Sequence, residues 1–148
     1  MTRAAWIALM ACVLSTAAQA DRTVLIDRVL SRLGVGAADV RACLAEQMTA
    51  EPQRRAEIER LGDVFDWIED AVTAPRRSPV ASERAVAQTK SDAFAEIVAG
   101  FTHERRFDTA KLATISDGRL TPHHVLNYAR VQRALGSGHD PKRVLCGL

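Results

Sequence analysis

Residues 51–75, EPQRRAEIERLGDVFDWIEDAVTAP, decide the fold. Pro52 follows Glu51 in a first helical turn, where its missing N–H leaves no partner unsatisfied. Ile58, Leu61, Phe65, Ile68 and Val72 then recur at alternating spacings of three and four, the period of one apolar helix face. Pro75 ends the run. At about 100° per residue, Glu59, Asp63, Asp66 and Asp70 gather on the opposite face, and Trp67 falls on the flank of that acidic stripe. Two readings of the stripe stay open. It is a docking surface for a basic protein partner with Trp67 as an exposed anchor, or it is a solvated face whose indole is covered by another helix or by the arginine-rich loop that follows.

The same helical spacing continues on both sides. Residues 23–33 put Ile26, Val29, Leu30 and Leu33 on one face, and Gly34 stops them. Residues 37–48 align Val40, Cys43, Leu44 and Met48, so Cys43 faces the core. Residues 74–81, with two prolines and two arginines, read as the longest loop. Residues 82–101 carry Val86, Ala93, Phe94, Ile97, Val98 and Phe101 on a broad face. Asp108 caps a short helix to residue 115, Asp117-Gly118 is a turn, and Thr121-Pro122 opens a helix to residue 135. Residues 136–148 read as irregular. No window alternates with β-branched residues. The pattern predicts an all-α fold, a compact antiparallel helical bundle of about five to six helices.

Residues 1–20 have the organisation of a secretory signal peptide. Arg3 supplies the basic start, residues 4–14 (AAWIALMACVL) are apolar, and Ala18-Gln19-Ala20 is a small-x-small cleavage site. The apolar run is too short for a permanent anchor. A mature chain from Asp21 is expected, residues 21–148 forming a single all-helical domain with no transmembrane segment, in the periplasm or secreted. Leu9-Met10-Ala11-Cys12 loosely matches a lipidation signal, but methionine fits its position poorly, and cleavage after Ala20 is expected over anchoring at Cys12. Export leaves Cys43 and Cys146 as a lone pair in an oxidising compartment, and a disulfide between them is expected. Arginine outnumbers lysine 17 to 3, a compositional hint of a GC-rich bacterial source.

Charge is divided unevenly. Residues 21–74 hold 7 basic and 11 acidic side chains, and residues 75–148 hold 12 and 7. Two halves of one fold attracting each other explain this, and the small net charge argues against a nucleic-acid partner. Chemistry-bearing motifs are weak. His123 and His124 are neighbours on one helix and cannot converge on one metal. The acidic stripe is too regular for calcium. Ser137-Gly138-His139-Asp140 lacks the G-x-S-x-G elbow, and Gly34-Val35-Gly36 lacks the strand and third glycine of a dinucleotide loop. No catalytic, metal-binding or cofactor-binding residue is assigned, and no cofactor is expected. The reading is an exported, non-enzymatic helical protein that binds another protein: an immunity-type inhibitor, a pilotin-like chaperone or an accessory subunit of an envelope machine. The alternative is an enzyme acting on cell wall or polysaccharide, with Glu46, Glu69, His103 and Tyr128 as the groups to seek in one cleft. A carrier of an apolar ligand between its helices is the third class.

Overall fold

Helix α3 (Pro52–Ile68) is the spine of the molecule because two arcs of its surface, not one, are apolar. In the computed structural model, which describes residues 3–104 and 107–147, the described residues form seven α-helices and no strand. α1 spans Arg3–Leu33, α2 Ala38–Ala50, α4 Ala81–Glu104, α5 Thr109–Ser116, α6 Pro122–Gly136 and α7 Pro141–Cys146. Ile58, Leu61 and Phe65 of α3 meet Ile26, Val29 and Leu30 of α1, Val40, Leu44 and Met48 of α2, Val131 of α6 and Leu145 of α7. Val64 and Trp67 face the other way, onto Phe94 and Ile97 of α4, Leu112 of α5 and Val125 of α6. Ile68 and Tyr128 touch both clusters and join them. Gly62 lets α1 approach closely, since a Cβ there would stand 2.8 Å from Leu25 Cδ1.

Three expectations change in detail. α1 begins at Arg3 rather than near Thr23, since neither glycine nor proline interrupts residues 3–33. Among the described residues no helix is long and apolar enough to cross a membrane. Pro75 does not end α3. The helix passes through a π-helical turn (Glu69–Thr73), in which the Ala74 N–H bonds to the Glu69 carbonyl, into a last α turn (Ala74–Arg76). A regular helix would drive the Pro75 ring into the carbonyl four residues back. The wider π turn displaces that carbonyl, and Pro75 then stands at the start of a new turn, where no N–H is required. The tail is not wholly irregular either. α7 opens on Asp140-Pro141, the same acceptor-then-proline signature as Thr121-Pro122.

The capping predictions hold. Asp108 Oδ1 accepts the Lys111 backbone N–H at 2.9 Å, and Asp117 closes α5 in the left-handed region at φ 51°. Asp108→Ala is expected to cost about 1 kcal/mol, read as a shift in the urea midpoint with an unchanged slope.

Cys43 and Cys146 lie at disulfide distance, with Cα atoms 6.2 Å apart. α7 is seated on α2 by that pair, by the Gln47 side-chain amide donating to the Cys146 carbonyl, and by Lys142–Asp39 at 3.6 Å. The charge asymmetry also becomes visible. Asp39–Lys142, Glu57–Arg130, Glu69–Arg77 and Asp70–Arg119 each join an acid of the first half to a base of the second. Most are well exposed, so each contributes at most about 1 kcal/mol and serves orientation more than stability.

Candidate functional site

The acidic stripe of α3 is occupied by the protein's own cations. Arg55 reaches Glu59 at 2.8 Å, Arg28 of α1 reaches Asp66 at 3.3 Å, and Arg119 reaches Asp70 at 3.0 Å. Glu69 beside it lies 3.0 Å from Arg32 of α1, an ion pair without an aligned hydrogen bond. Trp67 does not belong to this surface. Its indole is 1% exposed and packs on Phe94 with ring centroids 5.1 Å apart. The exposed-anchor reading of Trp67 is therefore corrected: α4 covers the flank that a single-stripe analysis leaves open. Asp63 and Asp70 remain the outward carboxylates of the stripe.

Asp63 belongs to an arrangement that sequence spacing does not show. His124 Nε2 stands 3.2 Å from Asp63 Oδ2, and His124 Nδ1 lies 2.7 Å from Thr121 Oγ1. An acid, a histidine and a hydroxyl in series resemble a nucleophile relay, but the Thr121 backbone N–H also donates to Nδ1 at 3.1 Å. That reciprocity is a capping box that starts α6 and ties it to α3. Of the residues sought as a catalytic cleft, Glu46 is exposed on α2, Glu69 is held by Arg32 and Arg77, and Tyr128 sits between the two core clusters. No hydrogen bond or ion pair joins them among the described residues. Burial pushes the Tyr128 phenol above its ordinary value of 10.0, opposed by a hydrogen bond with Gln132, so it is a neutral group here. The side chains of His103 and Cys12 lie outside the described residues.

Concave surface is found on both flanks of α4, where it crosses the π turn. One groove, of about 530 Å³, runs between the start of α4 and the end of α3. Ala71, Ala74, Pro75, Val86 and Ala87 make it apolar, while Asp70, Glu83 and Lys90 give it a charged rim. Val86 is 55% exposed along it, and Val80, just ahead of the helix, is 48% exposed. The second groove, of about 560 Å³, lies on the opposite flank with Trp67, Phe94 and Tyr128 among its walls. The π turn builds both, because its residues fan outward: Asp70 and Ala71 enter the first groove, Val72 and Thr73 the second. Neither groove was legible in the sequence, since each arises from two helices meeting rather than from one helix's period.

The chain matches no protein-family model, and no curated protein or solved structure is significantly similar to it.

Proposed function

We propose that this is an exported, non-enzymatic helical protein that holds another protein through the first α4 groove. One observation carries the reading. The first half of α4 is exposed over residues 81–86, and it sets the apolar residue Val86 beside an apolar groove with carboxylates on its rim. Large apolar side chains exposed next to a concave apolar surface mark interaction sites. A partner fitting this surface inserts one or two aliphatic side chains and flanks them with lysine or arginine facing Glu83. The sequence-derived acidic stripe thus contributes Asp70, the member that lines the groove.

Export rests on residues 1–20, as read above. Among the residues whose burial is described, residues 18–21 are exposed and Ile26 is the first to join the core. Periplasmic inhibitor, pilotin-like chaperone and envelope accessory subunit all remain served by such a groove. The experiment is affinity recovery of the protein and of Val86→Lys from envelope extracts, with N-terminal sequencing of the recovered chain. One stoichiometric partner retained by the parent and lost by the variant, on a chain starting at Asp21, is the expected result. Equal recovery of the partner by Val86→Lys places the contact elsewhere and overturns the groove assignment.

A further inference from the structure

The second groove differs from the first in how its polarity is distributed. Arg76 hydrogen-bonds Gln88 and Trp67 packs on Phe94, so α3 and α4 run antiparallel along it. Thr73, Arg76 and Ser91 consequently collect at the end near the connecting turn, and the rest of the lining is apolar apart from the Tyr128 hydroxyl. Among the described residues, Arg76 is the one charged member of the lining. Its guanidinium donates to the neutral Gln88 Oε1 at 3.0 Å, and among the described residues it forms no ion pair with a carboxylate. Asp92 is reached only through Gln88, whose amide donates to Asp92 Oδ1 at 2.7 Å. The other members of the acidic surface nearby are already matched, Glu69 by Arg32 and Arg77, Asp70 by Arg119.

We propose that this groove binds a single-chain amphiphilic carboxylate, its tail between Ala95, Ala99 and the Tyr128 ring, above the buried Trp67–Phe94 floor, and its head at Arg76. The volume falls within the range of small-molecule sites. The graded polarity selects a ligand with one polar end, and an unneutralised guanidinium at that end selects an anion with which it forms paired hydrogen bonds. Ala95 and Ala99 keep the α4 wall low, leaving room for an alkyl chain along the helix. This site lies on the opposite flank of α4 from the protein-binding groove, and Val86 has no part in it.

The full chain carrying Trp6→Phe keeps Trp67 as its only indole, so Trp67 emission reports the groove directly. Sodium decanoate, titrated at pH 8 below its micelle concentration, is expected to give a saturable change in that emission and a matching calorimetric isotherm. Lengthening the probe from octanoate to decanoate to dodecanoate strengthens binding roughly three- to fourfold per methylene. Decanol binds about tenfold more weakly than decanoate, the ratio expected for losing a hydrogen-bonded charge. Arg76→Gln removes decanoate's advantage and leaves decanol unchanged. Ala95→Leu, on an exposed wall, abolishes binding of both while the melting midpoint stays put. The proposal is overturned by the absence of saturable binding, by equal affinity for decanoate and decanol, by an advantage that survives Arg76→Gln, or by binding that survives Ala95→Leu.

Discussion

Trp67→Ala is expected to destabilise the protein by about 3–5 kcal/mol, the range for removing a large buried aromatic side chain from a packed core. The indole packs on Phe94 within the buried cluster of Val64, Val72, Ile97, Leu112, Leu120 and Val125, so its loss opens a cavity where four helices and the π turn meet. The surroundings relax poorly, because Phe94 is also packed on Tyr128 at 5.6 Å between centroids, and Tyr128 on Phe65 at 5.7 Å. Urea unfolding followed by far-ultraviolet circular dichroism measures the effect. Val24→Ala, at a 63% exposed position of α1, is the control and stays within about 0.5 kcal/mol. A Trp67 variant as stable as that control would return the indole to the surface and undo the two-cluster description of α3.

The second large effect concerns Cys43 and Cys146. A bond between them closes a loop of sequence separation 103, for which the chain-entropy model gives about 4–5 kcal/mol. The double variant Cys43→Ala/Cys146→Ala is expected to lose most of that in urea unfolding. It should also free α7, whose six residues are too few to hold a helix without tertiary support. Hydrogen exchange then quickens first in α7 and in the α2 turns beneath it, before the α3–α4 region responds. Reductant should reproduce the shift in the parent protein. If reductant leaves the parent's unfolding midpoint unmoved, the two cysteines are packed thiols and α7 is held by Leu145, the Gln47 contact and the Lys142–Asp39 pair.

Both effects bear on what a linear sequence can reveal. The stripe of Ile58, Leu61, Phe65 and Ile68 was readable because one helix against one core leaves one periodic signal. Val64 and Trp67 repeat the signal at another angle, and period analysis that seeks a single direction discards it. The second arc becomes apparent only once α4 supplies a second neighbour. Likewise Pro75 reads locally as a stop, and the π turn ahead of it, which period counting does not show, lets the chain pass it. Asp140-Pro141 was a missed signal of a kind already used at Thr121-Pro122. The cysteine pair was legible from composition, the expected export and the helix face that carries Cys43, whereas the partners of the acidic stripe were not. Those partners come from α1, α3, the α5–α6 connection and α6, and nothing in residues 59–70 specifies them.

The candidate sites share one cause. A π turn at the end of the central helix fans its side chains to both sides of α4 and leaves a groove on each flank, one lined by Asp70 and Glu83 and the other by Arg76 at one end. Such turns recur at functional sites because the extra residue costs regular hydrogen bonding and re-aims several side chains together. Here it separates an outward apolar edge at Val86 from a graded pocket over Trp67. The proposed protein site and the proposed ligand site lie on different sides of one helix, and Val86→Lys and Arg76→Gln interrogate them independently.

Native mass spectrometry of the protein recovered from the cell envelope, without reductant, tests the central claim most directly. The account predicts one assembly made of a single partner and a chain that begins at Asp21 and is two hydrogens lighter than its reduced form. Recovery of the chain alone from the cytoplasmic fraction, still beginning at Met1 and with both thiols free, would contradict it.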